Sequence, residues 1–134
     1  MLRSAIHIMK HQKKQAFLEI SYNDEPGTGL GPTLEFYHLV AQEVRNKKEM
    51  WKTTQDNSLF PSAIIMKNMS NEQIAQVYDI WRLIGSIMAK SVVDDRIVDL
   101  PFNPLFWDIV LGKKTSLFDL AKIQPDVAKN FIDF

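Results

Sequence analysis

The chain has 134 residues, 46% of them hydrophobic and 24% charged, which suffices for one core and fits neither a disordered tail nor a membrane-spanning chain. Sixteen Lys and Arg balance sixteen Asp and Glu, so no basic surplus points to nucleic acid. There is no cysteine, which excludes disulfides, thiolate zinc sites and a cysteine nucleophile and suits a cytoplasmic and/or nuclear protein.

Leu2, Ala5, Ile6 and Met9 recur at helical spacing, and the spacing predicts a helix over 2–14 with lysines toward its C-terminal end. His7, Lys10, His11, Lys13 and Lys14 interrupt this segment too early for a secretory signal. Residues 17–22 predict a strand. Gly27, Gly29 and Gly31 then mark a backbone-defined loop, and Pro32 is expected as the first residue of a helix. That helix carries Leu34, Tyr37, Val40, Ala41 and Val44 at helical spacing, widened by Phe36 and Leu39, and ends near residues 46–48.

Residues 52–58 are polar and turn-prone, and Leu59, Phe60 and Pro61 form a short apolar stretch that proline ends. Ala63, Ile64, Ile65 and Met66 suggest a second short strand. Ser70 or Asn71 caps a long helix to about Asp94. Its apolar residues cover more than one face, as in a buried central helix, and put Trp81 and Ile84 in the core. Asp79, Arg82 and Lys90 break this longest apolar pattern, so it does not read as a membrane span. Gly85 and Ala89 leave a shallow strip on it. Asn103 and Pro104 start a short helix that Gly112 stops, Thr115 or Ser116 starts another turn through Ala121, and Pro125 starts the last helix. The apolar pattern runs to Phe134, which reads as truncation of a longer protein and leaves Phe131, Ile132 and Phe134 as a sticky surface. The whole predicts a mainly α fold with a minor β component.

The glycine loop lies between a strand and a helix, as phosphate loops do, but G-x-G-x-G is not the dinucleotide spacing and no Lys-Ser/Thr follows. His7 and His11, four apart, lack a third metal ligand and read as two exposed histidines; His38 reads as partly buried packing. No serine sits in a G-x-S-x-G elbow. Asp94, Arg96 and Asp99 read as an ion-pair brace at a helix end before an acid/base cluster. Trp51, Trp81 and Trp107 read as core or interface aromatics, since no basic groove accompanies them. The residues by themselves point to no catalytic group, metal or cofactor.

Four stretches, in order and spacing, resemble the start of the HECT ubiquitin-ligase domain. They are Leu18-Glu19-Ile20 with residues 25–37 (EPGTGLGPTLEFY), residues 58–61 (SLFP), residues 83–90 with 94–102 (LIGSIMAK, DDRIVDLPF), and residues 117–125. GTGLGPTLEFY is similar to the thyroid-receptor-interacting and ubiquitin-fusion-degradation subclass. The resemblance implies that residues 1–134 are the first part of the large helical subdomain of a HECT N-lobe. The conjugating-enzyme-binding subdomain, and the C-lobe cysteine that accepts ubiquitin as a thioester and passes it to substrate lysines, would lie elsewhere in the parent. It makes Gly27, Gly29, Gly31, Pro32 and Glu35 a shaping loop and helix start. Gly85 becomes part of a scaffold helix, and Asp94, Arg96 and Asp99 become its brace. Some WW-domain-containing members hold ubiquitin noncovalently through a tyrosine in the glycine loop; Leu30 occupies that place here and does not fit an equivalent site. The implied partners are the rest of the HECT domain, a ubiquitin-charged conjugating enzyme and ubiquitin through the parent, and protein substrates, with no nucleic acid or membrane. Two other readings stay open: a free-standing non-catalytic interaction module with the HECT scaffold, and a nucleotide-binding enzyme using the glycine loop.

Overall fold

Helical spacing governs most of the chain, and helices are what form. The computed structural model describes residues 1–13, 16–23, 26–27, 29–64 and 66–132. The fold is mainly α, as the periodicity predicts, with one two-stranded sheet among the described residues. It divides into two compact units, residues 1–46 with 65–99 and residues 47–64 with 100–134.

The first unit contains α1 (Leu2–His11), α2 (Leu30–Arg45) and α3 (Asn71–Val93). Helix α1 ends earlier than predicted because Gln12 turns extended, at φ −69° and ψ 149°; Lys14 lies outside the described residues. It packs on α2 and α3 through Ala5 and Met9, both buried. Helix α2 begins at Leu30, so Pro32 is its third residue and not its first. The position still suits proline, because the first four helical amides have no intrahelical acceptor. Phe36, Tyr37, Val40, Ala41 and Val44 are buried, whereas Leu34 is exposed. His38 is exposed too, against expectation: it falls just outside the buried stripe.

Helix α3 starts as its sequence dictates. The Ser70 hydroxyl accepts from the Gln73 amide, and the Gln73 side chain accepts from the Ser70 amide. It is not buried all round, however. Leu83, Ile84 and Ile87 are buried and Trp81 only half, while Tyr78, Val92 and Val93 are exposed. Few elements flank it within this unit, so one face, not several, is covered.

Residues 17–22 form no strand, because no neighbouring strand offers a ladder. The side chains of Asp94, just past α3, and of Thr33 on α2 take the Leu18 and Ile20 amides instead. Ala63 and Ile64 also form no strand, and Met66–Asn68 is a 3-10 turn; Ile65 lies outside the described residues.

In the second unit a 3-10 turn (Lys48–Met50) leads into β1 (Trp51–Thr53), which pairs antiparallel with β2 (Leu59–Pro61) in the register Trp51↔Pro61. The polar stretch over 52–58 is thus part strand. Its turn proper, residues 54–58, includes Asn57 at φ 59°, a left-handed position asparagine tolerates. Helices α4 (Pro104–Val110) and α5 (Pro125–Ile132) follow, with a 3-10 turn (Leu117–Lys122) between them. Asn103 caps α4 through its side chain to the Leu105 amide, and Gly112, at φ 71°, closes it. Trp51 stacks edge-on against Phe102, which faces Phe106 with ring centroids 4.3 Å apart. Of the tryptophans only Trp51 is buried; Trp107 is 40% exposed. Ala128 is buried on α5 and Phe131 is exposed, whereas Phe134 lies outside the described residues.

Candidate functional site at the root of the glycine loop

The C-terminal turn of α3 carries Lys90 and Asp94 four residues apart, a spacing that puts both side chains on one helix face. Lys90 Nζ lies 2.5 Å from Asp94 Oδ1, and both side chains are 2% exposed. Lys90 also donates to the Ala16 carbonyl. The other carboxylate oxygen of Asp94 accepts from the Tyr37 hydroxyl at 2.9 Å and the Leu18 amide at 3.2 Å. Two residues on, the Ile20 amide donates to the Thr33 hydroxyl at 3.0 Å, and that hydroxyl donates to the Gly29 carbonyl at 3.3 Å. The segment 16–20 is therefore strapped to α2 and α3 at alternate residues, directly before the glycine loop.

Burial of Asp94 disfavours its charge, but hydrogen bonds from Lys90, Tyr37 and the Leu18 amide outweigh this and hold its carboxyl below the usual range. Tyr37 moves the opposite way: burial first, then the neighbouring Asp94 carboxylate, pushes its hydroxyl well above the ordinary tyrosine value. At neutral pH the node thus holds a carboxylate and a neutral phenol, with each carboxylate oxygen occupied. Such a carboxylate is a poor general base, since its proton affinity is lowered and its oxygens are taken.

The structure does not assemble Asp94, Arg96 and Asp99 into one brace. Arg96 donates from its backbone to Ser91 O and from Nη1 to Asp95 O, and it bridges neither acid. Its Nε is buried without a hydrogen-bond partner among the described residues. Asp99 pairs with Arg45 at the end of α2, and this pair is largely exposed. The partner of Asp94 is Lys90, which by sequence alone is only an interruption of an apolar helix. The spacing of four was legible; the contact with Tyr37, 57 residues away, was not.

The loop residues are placed as follows. Gly29 is the N-cap of α2 at φ 96° and ψ −144°, a backbone region closed to other residues. A Cβ added at Gly27 would lie 3.6 Å from Pro32 Cγ, an ordinary contact, and Gly31 lies in the first turn of α2 with open space around it. Pro32 is half-buried, and Glu35 is exposed on α2. Thr28 lies outside the described residues. Gly85 is exposed on α3, where it borders a groove of about 440 Å³ between α1 and α3, lined also by Ile6, Met9, Leu83 and Ala89. Lys10 and Asp79 close one side of it at 3.0 Å. The rings of His7 and His11 lie tilted with centroids 4.4 Å apart, and no group of metal-ligating side chains occurs among the described residues.

A second polar cluster, unforeseen from sequence, lies in the other unit. Asp56 accepts from the Thr54 hydroxyl and from the Ser58 amide and hydroxyl, the latter at 2.6 Å. The hydroxyls of Ser58 and Thr54 lie 2.7 Å apart, and Asn103 Nδ2 donates to Ser58 Oγ at 2.9 Å. These bonds from Ser58 and Thr54 lower the Asp56 pKa to about 2. An acid that weak in proton affinity cannot activate the serine it touches; the cluster locks the β1–β2 turn onto the start of α4.

Residues 37–134 match the model of the HECT-domain (ubiquitin-transferase) family. A probable ubiquitin fusion degradation protein of Schizosaccharomyces pombe is 38% identical over 94% of this chain and 8% of its own length. The E3 ubiquitin-protein ligase TRIP12 of Danio rerio is 34% identical over 97% of this chain and 8% of its own length. Ubiquitin fusion degradation protein 4 of Saccharomyces cerevisiae is 32% identical over 90% of this chain and 9% of its own length. The chain thus spans a tenth or less of the length of these relatives. With most of its length matched by the family model, and with these relatives similar along nearly all of it, the chain belongs to the HECT-domain (ubiquitin-transferase) family, beside TRIP12 and the ubiquitin fusion degradation proteins.

Proposed function

We propose that residues 1–134 act as scaffold for the first part of the large helical subdomain of a HECT N-lobe, within a longer ubiquitin ligase. The observation that carries this is the pairing of family membership with a chain that has no cysteine. Transfer through a thioester needs an attacking thiolate that can also leave. In this reading that thiolate, and the surface that binds the conjugating enzyme, come from other parts of the ligase. The strapped node at Asp94 and the locked turn at Asp56 support a positioning role, because each carboxylate accepts from a backbone amide, Leu18 and Ser58 respectively, and so holds a loop in place. Gly27, Gly29, Gly31 and Pro32 shape the loop, and Glu35, Gly85, Arg96 and Asp99 belong to the same frame. The partners of the whole ligase would be a ubiquitin-charged conjugating enzyme, ubiquitin and protein substrates, in the cytoplasm and/or nucleus.

The test is a chimera in which residues 1–134 replace the matching segment of ubiquitin fusion degradation protein 4. The expected result is a ligase that still forms a reductant-sensitive ubiquitin thioester, and loses it when Lys90→Met and Asp94→Ala are combined. A folded chimera that takes no ubiquitin would overturn the scaffold reading and favour a free-standing interaction module.

A further inference from the structure

The strap before the glycine loop has two edges, and among the described residues only one is used. Ala16 O, Leu18 N and Ile20 N all bond toward α2 and α3. The side chains follow the same period of two: Leu18 and Tyr22 are half-buried and Ile20 is buried, while Phe17, Glu19 and Ser21 are exposed, Phe17 to 75%. In an extended segment the N–H and C=O of successive residues point to opposite edges. The backbone groups of Phe17, Glu19 and Ser21 therefore point away from α2 and α3, and they make no hydrogen bond among the described residues. Outward groups at every second residue are the pattern of a strand edge, where they recur about 6.8 Å apart.

We propose that this outer edge, residues 17–21, is a docking site for an extended segment of a second polypeptide, which adds to it as a strand with a basic residue opposite Glu19. Three observations select this occupant. First, outward N–H and C=O groups at every second residue are matched along their whole length only by another extended backbone. Second, the inner edge is already fixed by the buried Lys90, by Asp94 and by Thr33, so the strap is ordered before anything binds and little ordering remains to be supplied. Third, the charge at the centre of the edge rejects a second copy. Two copies using all three outward residues in antiparallel register place Glu19 against Glu19, and like charges directly opposite are destabilising. A lysine or arginine there, with a β-branched residue opposite Phe17, gives the favourable cross-strand pairs.

The experiment uses the 134-residue chain and the peptide acetyl-Thr-Thr-Lys-Thr-Val-amide, followed by amide exchange and chemical shifts. Saturating peptide is expected to slow exchange at Phe17, Glu19 and Ser21 by about tenfold or more, as stable hydrogen bonding does, and to leave Leu18 and Ile20 unchanged. The same peptide N-methylated at its lysine should not bind. Glu19→Pro, which removes an outward donor and leaves the inner bonds intact, should abolish binding while melting as the parent does. Should that variant unfold, Glu19→Lys serves instead: it should reverse the preference, to a peptide with glutamate in place of lysine. No binding at millimolar peptide, protection at Leu18 and Ile20 instead, or equal binding of the N-methylated peptide would each overturn the proposal. Protection of the odd-numbered amides without peptide, in a chain that light scattering finds dimeric, would show that a second copy is the occupant and would overturn it too. None of these results depends on whether the chain works in a ubiquitin ligase.

Discussion

Lys90 and Asp94 meet at 2.5 Å with both side chains almost wholly buried, and neither is satisfied by the other alone. Lys90 also holds the Ala16 carbonyl, and Asp94 also holds Tyr37 and the Leu18 amide. Removing one member leaves an uncompensated buried charge, a loss of about 3–5 kcal/mol. Lys90→Met is expected to cost that much in urea unfolding. Tyr37→Phe, which removes one neutral donor to the carboxylate, should cost about 1–3 kcal/mol. Equal small effects from both would show that the node is wetter than its burial implies.

Acid should find the same node. Asp94 titrates below its ordinary 3.8 in the folded chain, and Asp56 and Asp119 do so at about 2, the latter held by Lys122 and by the amide of Ser116. A lowered folded pKa means that the unfolded chain takes the proton first as pH falls. These groups therefore stabilise the fold above pH 3.8, and their contribution is lost from there down through about 2. Melting followed from pH 6 downward should fall most steeply below about 4. Asp94→Asn should flatten part of that slope; an unchanged slope would remove Asp94 from the account.

Gly29 and Gly31 look alike in sequence and should behave differently. Gly29→Ala forces a side chain into φ 96°, and residues in such regions cost about 1–3 kcal/mol. Gly31→Ala lies in the first turn of α2 with nothing within 4 Å of its new Cβ. It should be neutral or stabilise by about 0.4–1 kcal/mol through the unfolded chain. Thermal melts of the two variants decide this, and a reversed order would mean that the helix start is misplaced.

Ile84 and Trp81 both looked like core positions, but only Ile84 is fully buried, at 2% exposure. Ile84→Ala should cost about 2–5 kcal/mol. Trp81→Ala, at a half-buried position, should cost less despite the larger side chain. A larger loss at Trp81 in denaturant titrations would indicate that α3 is covered on that face in solution.

The chain should neither accept ubiquitin as a thioester nor pass it to lysine. The test is single-turnover incubation with a charged conjugating enzyme, read on non-reducing gels. A hydroxylamine-sensitive, reductant-resistant adduct would reveal a hydroxyl nucleophile. Ser58 is the obvious place to look, yet its neighbour Asp56, with a pKa of about 2, is a poor proton acceptor.

Local signals in the sequence placed the helices because caps and apolar spacing act over one or two turns. Ser70 with Gln73, Asn103 with Pro104, and Ser116 with Asp119 each form the start that their residue types announce. The cysteine-free composition and the stretches resembling the family were legible for the same reason: they reside in residue identity. Whether residues 17–22 would be a strand was not legible, since a strand is defined by a partner that sequence does not name. Tertiary structure decided that the side chains of Asp94 and Thr33 take the Leu18 and Ile20 amides, and that Asp94 answers to Tyr37 and Lys90 and not to Arg96. Burial decided the rest. It turned an i, i+4 pair that would be a weak surface contact on an isolated helix into the node that fixes the approach to the glycine loop, because a charge removed from water must find its partners within the protein.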